Sequence, residues 1–197
     1  IITTAEGGLA TTNNAKLADK MQLFRSHGVM RNLELMTKET EGDWYYQQVE
    51  LGFNYRMTEL QAALGISQME RLDEFITVRH NHQERYDLLL DSSIIKPFQD
   101  QNSYSALHLY PIQINLESTG KSRQKIFNEL RKSDIGVNVH YIPIHIQPYY
   151  QKFGYKKGDF PNAEKFYSRS LSLPLYFDMT HEQQDFVLKV LASAMSK

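Results

Sequence analysis

The densest collection of reactive side chains in this sequence lies at Tyr141-Ile142-Pro143-Ile144-His145-Ile146-Gln147-Pro148-Tyr149-Tyr150, with His140 immediately before it. Two prolines fix φ and hold such a stretch on an extended path. The rings carry polar tips, so an ordered loop of this kind can line a pocket for a phosphate or a sugar. It can equally be a rigid connection whose histidines are satisfied internally. A metal site is not indicated. His140 and His145 sit five apart on a non-helical segment, and no carboxylate or thiolate accompanies them.

A second candidate is Asn54 with Arg56, just after Gly52 and just before a helix start at Thr58. Helix N-termini attract anions through free N–H groups and the helix dipole. Arginine adds a planar fork suited to phosphate or carboxylate. The alternative is an asparagine in a turn beside a surface arginine. Arg25-Ser26-His27-Gly28 is a weaker version of the same pattern. Gly7-Gly8 permits a tight hairpin turn or a close backbone approach to a ligand. No P-loop, G-x-G-x-x-G or G-x-S-x-G is present, and no Ser/His/Asp arrangement is readable from spacing.

The elements that must position these residues follow from periodicity and caps. Ile1 to Thr4 and Gly8 to Thr12 are short β-prone runs. Asn13-Asn14 caps a helix through Ser26, ended by His27-Gly28. Residues 31–50 are polar and irregular around Trp44-Tyr45-Tyr46, the pattern of a long surface loop. Thr58 and Gln61 form a capping box that opens one helix reaching about Leu90. Gly65 in its middle suggests close packing against a neighbour. Further on, Leu107 to Ile114 alternates like a strand that Pro111 assigns to a sheet edge. Lys121 to Ser133 is an amphipathic helix, and 137–141 and 171–175 are short strands. Thr180 and Gln183 open a last helix. Strand and helix mix over the last ninety or so residues as in a small α+β domain.

Composition narrows the class. The chain has 197 residues, a formal net charge of −1, 41% hydrophobic residues and no cysteine. Those values exclude a disulfide scaffold, a zinc knuckle and a thiol nucleophile. They also leave no basic footprint for nucleic acid. No apolar run approaches the ~18 residues of a membrane span. The reading is a soluble, cytoplasmic α/β protein with neither nucleic acid nor membrane as partner. Ile1 stands where a methionine is usual, so the chain reads as a piece of something longer.

Several segments in order resemble one family. Thr3-Thr4-Ala5-Glu6-Gly7-Gly8, Phe24-Arg25-Ser26-His27-Gly28, Gly52 to Ala63, His140-Tyr141-x-Pro143-x-His145-x-x-Pro148-Tyr149-Tyr150 and Leu171 to Leu175 look like those of the pyridoxal-phosphate-dependent sugar aminotransferases, the DegT/DnrJ/EryC1/StrS group. The segment with Gly154-Tyr155, Gly158-Asp159 and Pro161 looks most like the members that aminate C4 of a UDP-linked 4-keto-6-deoxy-N-acetylhexosamine.

The resemblance implies a C-terminal part of a fold-type I pyridoxal phosphate aminotransferase. Residues 1–57 would be the tail of an incomplete large domain, 58–90 a linking helix and 91–197 a small C-terminal α+β domain. It implies glutamate as amino donor, a nucleotide-sugar substrate and a homodimer. No catalytic residue is implied within this chain, because the Schiff-base lysine falls immediately before Ile1, so the chain alone should be inactive. Asn54 is implied to reach the cofactor phosphate of the neighbouring subunit, with Gly7 and Gly8 passing close to the cofactor. Arg56, His140, Tyr141, Ile142, Pro143, His145 and Tyr149 are implied to meet the substrate. A sugar dehydratase of the same family and a non-catalytic nucleotide-sugar-binding homologue remain alternatives.

Overall fold

The computed structural model describes residues 1–196. They form two compact units: one spans Ile2–Arg71, and the other spans the described residues from Leu72 on together with Ile1.

In the first unit, α1 (Ala15–Arg25) begins where the Asn14 side chain accepts a hydrogen bond from the Leu17 amide at 3.2 Å. That bond satisfies one of the amides that a helix start leaves free. The chain then turns through Gly28, at φ +68°, where an added Cβ would stand 1.9 Å from the Glu50 carbonyl oxygen. Only glycine fits such a turn. A short antiparallel pair follows, β1 (Val29–Met30) with β2 (Gln47–Gln48), in the register Val29–Gln48 and Met30–Gln47. The long connection between them is tied down by the buried Gln47. Its side-chain oxygen accepts from the Thr37 amide at 2.8 Å, and its side-chain nitrogen donates to the Tyr45 hydroxyl at 3.2 Å. The unit ends in α2 (Glu59–Glu70), opened by the Thr58–Gln61 capping box. Gln61 also donates to the Glu6 carbonyl at 2.9 Å, and a Cβ on Gly65 would lie 3.0 Å from the Thr4 methyl. The close packing expected at Gly65 is therefore against the N-terminal segment. The two β-prone runs flanking Gly7-Gly8 are not strands, because neither lies alongside a partner.

This unit buries no large apolar side chain. Its buried residues are Gly28 and Gln47. Leu60 (86% exposed), Leu51 (78%) and Trp44 (71%) stand in the open.

The second unit has the hydrophobic core. It runs α3 (Leu72–Leu89), β3 (Ile94–Ile95), β4 (Tyr110–Ile114), α4 (Leu116–Thr119), α5 (Arg123–Lys132), α6 (Pro148–Gln151), α7 (Pro161–Arg169), β5 (Ser170–Leu173) and α8 (His181–Met195). The three strands are antiparallel in the order β3-β4-β5. Tyr110, Ile112 and Ile114 alternate inward from β4 and meet Ile126 and Leu130 of α5 and Leu191 of α8 in one cluster. The rings of Tyr86 and Tyr110 stack at 4.9 Å. Tyr86 donates to the Pro174 carbonyl at 3.0 Å, and Tyr110 donates to the Asp87 carboxylate. Burial, ahead of the neighbouring charges, pushes both phenols well above the usual tyrosine range. Arg79 staples α3 to the sheet region by donating to the carbonyls of Leu107 (3.1 Å) and Leu175 (2.9 Å).

Three expectations change. The helix from Thr58 to about Leu90 is two helices, because Arg71 leaves helical geometry at φ −105°, ψ 4°. Residues 137–141 form no strand; Asn138 makes only a single bridge to Ser172. Pro111 sits in the central strand, not at an edge. The reason is the direction of the backbone groups. Ser172 turns both its N–H and its C=O to Asn138, so its pairing with Pro111 across β4 and β5 is the non-hydrogen-bonded kind. The nitrogen of Pro111 therefore points towards the β3 side, where pairing stops at Ile95–Gln113. Continuing that register would set Pro97 against Pro111, two residues with no amide hydrogen to exchange.

Candidate functional site

Asn54 is held by its backbone. It bridges Ser26 in antiparallel fashion, with the His27 amide donating to the Phe53 carbonyl at 3.0 Å and the Tyr55 amide to the Arg25 carbonyl at 2.9 Å. Gly28 makes the turn that permits this crossing. The Asn54 side chain is exposed and has no hydrogen-bond partner among the described residues. A rigid backbone thus presents an amide with free donors and a free acceptor. Arg56, two residues on, is also exposed and lines a separate cleft with His27 and Arg31.

Gly7 and Gly8 differ. A Cβ on Gly7 would fall 2.3 Å from the Thr4 hydroxyl oxygen, which itself donates to the Glu6 carbonyl at 2.9 Å. Around Gly8 nothing lies within 4 Å. The backbone at Gly8 is therefore open to close approach, and Gly7 is required by its own turn. Both line a cleft of about 610 Å³ with Ile2, Met57, Gly65 and Ile66.

The Tyr141–Tyr150 stretch divides into an inward and an outward set. Tyr141 is 70% exposed, and Ile142 and Tyr149 are also open. Pro143 precedes a single 3-10 turn, Ile144–Ile146. His140 is held by a 2.8 Å contact between its Nδ1 and the Ser172 hydroxyl. His145 was expected to face a ligand. In the structure it is 8% exposed, its Nε2 lies 2.9 Å from Oε1 of Glu164, and its ring is 4.8 Å from that of Phe160. An imidazole taken out of water needs a partner for its polar edge, and Glu164 supplies it. The same carboxylate oxygen accepts from the Gly158 amide at 2.6 Å. The His145 hydrogen bond first, and the Gly158 amide second, hold the Glu164 carboxyl below the ordinary glutamate range. His145 and the Gly158 amide therefore meet on one carboxylate, which ties the 3-10 turn to the loop at Gly158–Phe160. The sequence reading missed Glu164 and Ser172. The only local sign of Glu164 was a carboxylate in the first turn of α7.

No helix among the described residues is long and apolar enough to cross a membrane. No group of three or more His, Cys, Asp or Glu among them is placed to hold a metal ion.

Comparisons with known proteins identify the class to which this chain belongs. Residues 1–192 match the DegT/DnrJ/EryC1/StrS aminotransferase family, and the chain belongs to that family. It is 39% identical over 194 residues to the spore coat polysaccharide biosynthesis protein SpsC of Bacillus subtilis, covering 96% of this chain and 50% of that protein. It is 35% identical over 201 residues to the UDP-4-amino-4,6-dideoxy-N-acetyl-beta-L-altrosamine transaminase of Campylobacter jejuni, covering 100% of this chain and 50% of that one. Among solved structures it resembles PseC of Helicobacter pylori, an aminotransferase involved in the biosynthesis of pseudaminic acid. That match has a TM-score of 0.84 and 29% identity, covering 98% of this chain and 50% of that one. The chain spans about half the length of the relatives it matches.

Pyridoxal phosphate is the cofactor of this family. Two separate features of this chain suit a phosphorylated cofactor: the unpartnered Asn54 amide is a donor on a fixed backbone, and the open side of Gly8 leaves room for a group to approach the main chain.

Proposed function

We propose that this chain is the C-terminal part of a pyridoxal-phosphate-dependent aminotransferase. It moves an amino group from glutamate to C4 of a UDP-linked 4-keto-6-deoxy-N-acetylhexosamine, as in pseudaminic acid biosynthesis. The observation that carries the reading is the Asn54 amide, fixed by the Ser26 bridge and left without a partner in its own chain. In a homodimer it donates to the cofactor phosphate bound by the neighbouring subunit. The cofactor, when bound, supplies an electron sink for the carbon that loses its proton.

The chain's own residues bind and orient. Gly7 and Gly8 keep the backbone close to the cofactor without a side chain intervening. Tyr141, Ile142 and Tyr149 present the exposed face of the aromatic loop to the nucleotide-sugar. Pro143 and His140 set the course of that loop, and His145 pins it through Glu164. On this reading none of the lysines in these 197 residues is the one that holds the cofactor. Residues 1–57 then belong to the end of a larger cofactor-binding domain. The absence of any buried large apolar side chain in residues 2–71 supports this.

The test is direct. The full-length protein is incubated with pyridoxal phosphate, the UDP-4-keto sugar and glutamate labelled with nitrogen-15 at its amino group. The label should appear in a UDP-amino sugar. A 4-keto sugar that loses water instead, or is recovered unchanged with bound cofactor intact, overturns the reading.

A further inference from the structure

We propose that Ser172 is a positioning residue: its hydroxyl holds His140 in the tautomer with hydrogen on Nε2, so that the ring offers a donor, not an acceptor, to the nucleotide-sugar. The tautomer rests on the hydrogen bonding around Ser172 alone. The choice of the nucleotide-sugar as recipient rests on the reading above. Ser172 is fixed first by its backbone. It lies in β5, is 5% exposed and stands opposite Pro111 of β4. On its other side its amide donates to the Asn138 carbonyl at 2.8 Å, and its carbonyl accepts from the Asn138 amide at 3.4 Å. Asn138 also holds the next residue, because its side chain accepts from the Val139 amide at 2.8 Å. The bridge that fixes the serine therefore carries His140 alongside it, and Nδ1 comes to 2.8 Å from Oγ.

Between a hydroxyl and an imidazole nitrogen two arrangements are open. The hydroxyl donates to a bare Nδ1, or a protonated Nδ1 donates to the hydroxyl oxygen. The second leaves the hydroxyl hydrogen in need of another acceptor, and Oγ has no other partner among the described residues. A hydrogen bond left unmade away from solvent is costly, and Ser172 avoids that cost only by donating to Nδ1. A neutral ring with a bare Nδ1 carries its hydrogen on Nε2. Nε2 has no hydrogen-bond partner among the described residues, and the ring is half-buried. Its N–H is free for an oxygen of a ligand. The Tyr141 ring meets the imidazole edge-on at 4.6 Å, which limits its rotation. Ser170, two residues back on the same face of β5, supplies the contrast. It is 1% exposed, and its hydroxyl has no acceptor within reach among the described residues. Ser172 differs from it by the histidine alongside.

Nitrogen-15 spectra of the histidine side chains test the proposal on the full-length protein carrying this chain. They are recorded without substrate at pH 8.5, well above the ordinary imidazole value of about 6.5. The His140 signals are those missing from H140Q. Nδ1 should resonate as a bare nitrogen and Nε2 as a protonated one. In S172A the two signals should move towards each other as both tautomers fill. S172T keeps the hydroxyl and should match the natural protein, and so should S170A. Should S172T unfold, S172C, a weaker donor, is read in its place and should fall between. In steady-state kinetics S172A should raise the KM for the nucleotide-sugar about threefold or more, because only part of the population then offers the donor and the ring is less well held. The half-reaction with glutamate alone should keep its rate.

A protonated Nδ1 in the natural protein overturns the proposal. So do His140 signals that stay in place in S172A, even if KM rises, since Ser172 would then serve the scaffold only. A KM that holds still while the tautomer changes overturns the role towards the substrate. The spectra need no turnover, so an enzyme that makes no amino sugar sinks the nucleotide-sugar reading and still leaves the spectra to decide on Ser172. An enzyme that transaminates with a protonated Nδ1 sinks this proposal alone.

Discussion

His145 and Glu164 meet at 2.9 Å across 19 residues of sequence, and the Gly158 amide shares the same carboxylate oxygen. The contact joins the 3-10 turn of the aromatic loop to the start of α7. Its pH behaviour follows from the carboxylate. Glu164 has a folded-state pKa below its ordinary 4.5. Its contribution to stability is therefore present above pH 4.5 and is lost as pH falls through the lowered value. Glu164→Gln should lower the melting temperature at pH 7, and the gap from the natural chain should close below about pH 4.5. In the full-length enzyme, His145→Ala should raise the KM for nucleotide-sugar through a loosened loop while cofactor retention is unchanged. Thermal melts across pH, with steady-state kinetics, check both. A KM that does not move would leave this pair a matter of scaffold only.

His82 titrates in the opposite sense. It is buried, and burial first, then the ring of His181 at 6.4 Å, lowers its pKa from 6.5. The folded state keeps the ring neutral, while the unfolded chain protonates it as pH falls. Stability is therefore full above pH 6.5 and declines below it. Melting temperature should drop between pH 7.5 and 5.5, and His82→Phe should flatten that part of the profile. An equal slope in the variant would assign the loss to other groups.

Gly28→Ala tests the crossing that presents Asn54. An alanine at φ +68° takes on a left-handed strain of about 1–2 kcal/mol. Its Cβ also meets the Glu50 carbonyl oxygen at 1.9 Å, so the backbone has to move. Denaturant unfolding should show at least that loss, and cofactor retention in the full-length protein should fall with it.

Asn54→Ala should leave unfolding nearly unchanged, because the side chain is exposed. It should still weaken cofactor retention by about 1–3 kcal/mol, the cost of a lost donor to a charged group. A mixed dimer of this variant with a lysine-dead partner should recover activity, because both defects then fall in one composite site. Recovery no greater than the average of the two homodimers would assign Asn54 to its own subunit.

What was legible in the sequence is what local signals decide. Thr58 with Gln61 and Thr180 with Gln183 are capping boxes in the structure as they are in the sequence, because a cap is settled within four residues. The break at Arg71 was not legible. Apolar residues continue at helical spacing through Met69, Leu72 and Phe75, and no glycine or proline marks the stop. Asn138 lies in a run with strand character but pairs only at one position, because pairing depends on a neighbour 34 residues away. The fixed backbone at Asn54 follows from a contiguous stretch, since Phe53 to Tyr55 pair with the nearby Arg25–His27 turn. The inward turn of His145 was missed because its partner lies far along the chain. Burial and partnership are tertiary facts, and residue type alone does not report them.

Pro111 also bears on the fate of this sheet in a crowded cell. β3 stops short of it, so beyond the Ile95–Gln113 pair the central strand has no strand partner on that side. An intruding strand adds itself by trading amide hydrogens for carbonyl oxygens. At this gap the position facing outward has none to trade. The residue that looked like a fault in a central strand thus guards the sheet against misassembly with its own kind.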